Sequence, residues 1–184
     1  MRKTYLALIL IFIFSCSQQD NRIMKFEKIL GKEQSEALNL LVADFDKNLN
    51  KNYPNLSTEK GYRQYLKDIL SESTTGMEKF EFQSDQTNSK FHKSGLWNEI
   101  YEYRYSYSLD GKDSTKTLNS KNLGKYMLAL YSIKDTDSFI SEYCAKRESA
   151  GLMQNELVVE GILSLNPDFT DYFHKRIVVI EFSY

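Results

Sequence analysis

Leu38, Leu41, Val42, Phe45 and Leu49 recur at steps of three and four residues, the spacing of one face of an α-helix rather than of a strand. A chain with such a stripe must bury it against other elements, and the sequence supplies partners of the same kind. Pro54 ends this first helix near Tyr53, because the residue before a proline is pushed out of the α region. Ser57 and Thr58 offer a cap for the next helix, whose stripe is Tyr62, Tyr65, Leu66, Ile69 and Leu70. Two helices joined by so short a turn are expected to pack antiparallel as a helical hairpin. Asn88 to Lys93 reads as a short helix carrying Phe91 and closed by Gly95. Further on, Leu123, Tyr126, Met127, Leu130 and Tyr131 form another stripe. Asp137 can cap a helix that turns Phe139, Ile140, Tyr143 and Cys144 inward and ends at Gly151. Leu157, Val158, Ile162 and Leu163 suit one more short helix. The expected fold is mainly α, a compact bundle of helical hairpins forming a single domain over residues 31–184.

Two stretches divide the signals. Tyr101, Tyr103, Tyr105 and Tyr107 alternate with Glu102, Arg104 and Ser106, and in a strand all four tyrosines would share one face. Asp110-Gly111 is a tight-turn pair, so a small β-hairpin around 99–118 is the expected exception to the helical rule. Against it, Trp97, Ile100, Tyr101 and Arg104 also fit a helical step, and periodicity leaves 97–109 open. An α+β domain with a small antiparallel sheet is the alternative architecture. Near the C-terminus, Asn166-Pro167-Asp168 has the composition of a helix start, followed by Phe169, Tyr172, Phe173, Ile177 and Ile180 at helical spacing. The run Ile177-Val178-Val179-Ile180 favours a strand, and the cap tips 176–183 towards helix.

Composition removes several function classes. An aromatic fraction of 14% gives the chain enough apolar surface to fold. The 24 basic residues against 25 acidic ones leave no electrostatic footprint for nucleic acid. Two cysteines and two histidines, with no metal-ligand spacing among them, fit neither a disulfide scaffold nor a zinc fold.

The N-terminus carries the strongest functional signal. Arg2 and Lys3 precede a continuous apolar run from Leu6 to Phe14, and Ser15-Cys16 leads into the polar stretch Ser17 to Arg22. The run is too short to span a bilayer, which takes ~20 apolar residues, and it suits a secretory signal. The ending Ile13-Phe14-Ser15-Cys16 resembles the lipobox of bacterial lipoproteins. That resemblance covers only about the first twenty residues. It implies diacylglycerol attachment to the Cys16 thiol and cleavage before it, so that 1–15 is a signal peptide and 16–30 a lipid-anchored tether and lead-in. An ordinary cleaved signal or an uncleaved anchor is the alternative. Loss of Arg2 and Lys3 would leave 22 basic against 25 acidic residues, so acyl chains rather than basic charge would hold the membrane. The expected location is the bacterial cell envelope, on the periplasmic or surface side of a membrane.

Chemistry is sparse in the remainder. No nucleophile elbow, zinc-protease, phosphate-loop or dinucleotide motif occurs. His92 and His174 are expected to be solvated or helix-terminal, and Cys144 to be a buried inert thiol. Asp44/Asp46, Asp110/Asp113 and Asp135/Asp137 read as solvated helix ends or turns. No cofactor or metal is expected. The candidate binding cluster is Trp97, Tyr101, Tyr103, Tyr105 and Tyr107, since aromatic faces with hydroxyl rims serve protein and sugar recognition. The leading expectation is a non-catalytic, membrane-anchored module that binds an envelope protein. A carboxylate-dependent hydrolase acting on glycan or peptide, needing only two well-placed acids, and a glycan-binding lipoprotein are the alternatives.

Overall fold

The structure, a computed structural model, describes residues 21–71, 81–107, 114–149 and 155–183. The expected signal peptide, Cys16, the Asp110-Gly111 turn and the helix end at Gly151 lie outside these residues. The chain is helical over 21–30 (α1), Lys32–Asn52 (α2), Thr58–Leu70 (α3), Asp85–Lys93 (α4) and Leu96–Ile100 (α5). Strands β1 (Tyr101–Tyr107) and β2 (Ser114–Ser120) follow, then α6 (Lys125–Tyr131), a 3-10 turn over Lys134–Thr136, α7 (Ser138–Ser149), α8 (Asn155–Ser164) and α9 (Tyr172–Glu181). The fold is mainly α with one small antiparallel hairpin.

The helical hairpin of α2 and α3 forms as the stripes require. Leu38, Leu41, Val42, Phe45 and Leu49 are all buried, and Ser57 Oγ accepts from the Lys60 N–H at 3.4 Å to cap α3. The Phe45 ring meets those of Tyr62, Tyr65 and Phe82 at centroid distances of 5.0, 4.8 and 4.8 Å. Such aromatic contacts add ~0.5–1.5 kcal/mol each beyond their burial. At the end of α4, Gly95 adopts φ 78, the left-handed conformation that glycine takes without Cβ strain.

α9 lies at the centre. Phe173 and Ile177 through Ile180 are all 2% exposed or less, so the helix is apolar on several sides because neighbours surround it. Strand propensity loses here to packing. α9 begins later than Asn166-Pro167-Asp168 suggests. Asn166 turns left-handed (φ 47), which asparagine tolerates, and the Pro167 carbonyl accepts from Arg63 Nη2 at 2.7 Å. The Asp168 carboxylate is occupied by the N–H and hydroxyl of Thr170 at 2.8 and 2.7 Å. Asp171 is the cap instead, its Oδ1 accepting from the Phe173 N–H at 2.7 Å.

Other expectations need correcting. Residues 21–30, the latter part of the expected 16–30 tether and lead-in, are helical, and Phe26 and Leu30 are fully buried. Leu123 does not join the α6 stripe. It is 80% exposed, because the chain turns there to bring Gly124 against Glu99. Leu157 is exposed, and Val159 with Ile162 forms the buried side of α8. Asp44 and Asp46 sit within α2, not at its end. Asp44 accepts from the N–H and hydroxyl of Ser84 at 2.8 and 2.7 Å, and Asp46 accepts from the Tyr62 hydroxyl at 2.9 Å.

Candidate functional site

The hairpin carries the aromatic cluster. β1 and β2 pair in antiparallel register, with Tyr103 opposite Leu118, Tyr105 opposite Lys116 and Tyr107 opposite Ser114. Alternation puts the tyrosines on one face and Glu102, Arg104 and Ser106 on the other. Tyr101 is the root of this ribbon. It is buried, and its hydroxyl donates to the Ile180 carbonyl at 2.6 Å, so it belongs to the core and not to the open surface. Beyond it the face emerges into solvent, with Tyr103, Tyr105 and Tyr107 exposed by 48, 57 and 73%.

The structure brings Trp97, Tyr101 and Tyr103 together. Trp97 lies 5.8 Å from the Tyr101 ring and 5.5 Å from the Tyr103 ring. The His92 ring, exposed at the end of α4 as expected, stacks on Trp97 at 5.7 Å and 27°. Lys116 Nζ sits 3.7 Å over the Tyr103 ring, a cation–π contact that fixes Tyr103 against β2. Tyr105 and Tyr107 extend the face outward from this stack. Among the described residues no third strand joins the sheet, and an isolated two-stranded ribbon gains little stability by itself in water.

A second cluster was not anticipated. His174, in the first turn of α9, is buried rather than solvated, at 7% exposure. Its Nδ1 accepts from the Asp168 N–H at 2.9 Å, which places the ring proton of the neutral imidazole on Nε2, facing the Asp137 carboxylate at 3.2 Å. Asp137 also accepts from the Ile140 N–H at 3.2 Å as the α7 cap, so the capping expectation holds although the residue is not a simple solvated end. Arg22 closes the group, its Nη2 lying 3.2 Å from Asp171 and 3.5 Å from Asp137. Asp137, Asp171 and His174 offer ligand atoms within 4.8 Å of one another, an arrangement able to hold a metal ion. Here the cation between the two carboxylates is the Arg22 guanidinium, and both ring nitrogens are engaged in hydrogen bonds.

Burial pushes the Asp137 carboxyl up, but the hydrogen bonds from His174 and Ile140 and the Arg22 charge outweigh it and hold the group below the usual range. A depressed folded-state pKa contributes stability above the unfolded value near ~3.9 that is lost as pH falls through the folded one. The expected result is that wild-type melting temperature drops more steeply below about pH 4 than that of Asp137→Asn. Equal acid slopes for the two proteins would show that this cluster does not hold the fold.

The third feature is a cavity of about 320 Å³ between α7 and α8, at the small end of ligand pockets. Phe139, Leu157, Val158 and Ile162 give it apolar walls. Its polar floor is closed on itself: Arg147 Nε donates to Glu181 at 2.9 Å, and the Tyr143 hydroxyl donates to the same carboxylate. Cys144, beside Tyr143 on α7, is 1% exposed, and burial pushes its thiol up to about 11. No described helix is long and apolar enough to cross a membrane. Comparison with protein-family models, curated proteins and solved structures found no match for this chain.

Proposed function

We propose that this protein is a lipid-anchored, non-catalytic module of the bacterial cell envelope that binds a partner protein through the tyrosine face of its hairpin. The carrying observation is the row Tyr103, Tyr105 and Tyr107, left open on a ribbon whose root is locked into the core by Tyr101. A rigid amphipathic aromatic offers large contact area at low entropic cost, the property that enriches Tyr in protein-binding surfaces. Glycan binding is less well supported, because His92 already stacks on the Trp97 indole, the widest ring of the cluster. The hydrolase reading gains no support from the described carboxyl groups that are displaced from their ordinary range. Asp44, Asp137 and Asp168 are all displaced downward, the opposite of a general acid. The order of basic, apolar and Ser15-Cys16 residues supports acylation at Cys16.

Two variants test the reading. Cys16→Ala should lose acyl labelling and leave the membrane fraction. The triple variant Tyr103→Ser, Tyr105→Ser, Tyr107→Ser should keep its lipid and its melting temperature within a few degrees. It should lose a protein that co-purifies with wild type from detergent-solubilised membranes. Identical co-purified proteins for wild type and the triple variant would remove the hairpin from recognition.

A further inference from the structure

Where the chain enters the fold is fixed by two residues near its start. Arg22 binds Asp171 at the N-terminal end of α9, and its guanidinium lies 4.8 Å over the Phe173 ring. One turn later, Lys25 Nζ donates to the Ser132 carbonyl at the C-terminal end of α6. The tyrosine ribbon is rooted at the other ends of the same two helices. Tyr101 bonds Ile180 in the last turn of α9. The Glu99 carboxylate accepts from the N–H of Lys125, the first residue of α6, at 2.8 Å. α1 agrees as a third ruler: it starts at the Arg22 cluster, and just beyond its end Gln34 Nε2 donates to the Ser94 carbonyl at 2.9 Å, beside α5 and the ribbon root. Three helices thus connect the same two poles. At 1.5 Å per residue the stretch from Asp171 to Ile180 separates those poles by roughly 14 Å.

The covalent chain limits how far the first pole can stand from a membrane. Between the α-carbons of residues 16 and 21 a fully extended chain reaches at most about 18 Å, and from Arg22 onward the chain is clasped to the body of the domain. Resting on the reading that Cys16 is acylated, we propose that the pole formed by Arg22, Lys25, Ser132 and Thr170 faces the bilayer at close range. The tyrosine ribbon is then rooted at the membrane-distal pole, and its partner is a protein that approaches from the aqueous side.

Energy transfer to the lipid surface tests this arrangement. Acylated full-length protein carrying Thr170→Cys or Ser106→Cys, both at exposed positions, is labelled with a donor dye. Cys144 is buried and Cys16 is blocked, so the introduced thiol takes the label. Each protein is placed in vesicles of phosphatidylethanolamine and phosphatidylglycerol that carry a headgroup-linked acceptor. The separation of the two poles by roughly 14 Å should make transfer from residue 170 about twofold that from residue 106. Equal transfer, or the reverse order, from protein shown by mass to be acylated at Cys16 overturns the orientation alone. Absence of the acyl group at Cys16 overturns the anchoring and the orientation together.

Discussion

Gly124→Ala should be among the most damaging single substitutions in the domain. A Cβ at this position would lie 1.8 Å from the carbonyl oxygen of Glu99 and 2.8 Å from its carbonyl carbon. Both atoms are backbone, so no side-chain rotation can relieve the overlap. Either the α5–β1 junction or the start of α6 must move, and with it the Lys125–Glu99 bond at the root of the ribbon. Overpacking costs ~1–3 kcal/mol and occasionally more, and a rigid obstacle places this case at the upper end. A loss of about 3 kcal/mol corresponds to roughly 6–12 °C in melting temperature for a chain of this size. Gly95→Ala is the control. Gly95 has φ 78 but nothing within 4 Å of an added Cβ, so its cost is confined to the left-handed penalty of ~1–2 kcal/mol. Thermal melts ranking Gly95→Ala as the more damaging change would show that α5 and α6 do not approach so closely.

Glu181→Gln should cost a comparable amount for an electrostatic reason. The Glu181 side chain is 3% exposed and that of Arg147 is 14% exposed, so both charges are largely withdrawn from water. Burial works against the Arg147 charge, and Tyr143 and Glu181 more than offset it, raising the guanidinium above its ordinary value. Glu181 is also the last residue of α9, where the helix dipole is negative and a lone carboxylate is disfavoured. Each partner is therefore tolerable only with the other. Removing one charge of a buried pair costs ~3–5 kcal/mol, whereas replacing both by apolar residues is often neutral. Arg147→Met combined with Glu181→Leu should recover most of the loss in denaturant unfolding. A single-variant cost below about 1 kcal/mol, the range of solvated pairs, would contradict the burial on which the argument rests.

What the sequence revealed depended on whether the signal was local. The α2 stripe, the Pro54 break, the Ser57 cap and the Gly95 stop all lie within a few residues of the structure they specify. The tyrosine face was legible for the same reason, since alternation fixes sidedness as soon as the stretch is known to be a strand. Helix and strand competed over 97–109, and both occur: Leu96–Ile100 is helical and Tyr101–Tyr107 extended. At α9 the local pattern misled. Asn166-Pro167-Asp168 has the composition of a helix start, yet Thr170 occupies the Asp168 carboxylate, Arg63 binds the Pro167 carbonyl, and Asp171, held by Arg22, is the cap. The Arg22–Asp137–Asp171–His174 cluster had no local trace at all. Its members come from three distant parts of the chain, and no spacing rule joins them. Arg22 meets both carboxylates where residues 21–30 lie against the domain as a helix.

The burial of Cys144 has a practical consequence for watching this protein open. With a pKa of about 11, roughly one thiol in ten thousand is thiolate at neutral pH, and the thiolate is the reactive form. At 1% exposure even that fraction is shielded from reagent. Modification must therefore wait for α7 to separate from the core, which gives the side chain both water and an ordinary pKa. With Cys16 acylated, the protein would carry one reactive sulfur, hidden in every closed molecule. The rate at which that sulfur is captured then reports the population of opened molecules without an introduced probe.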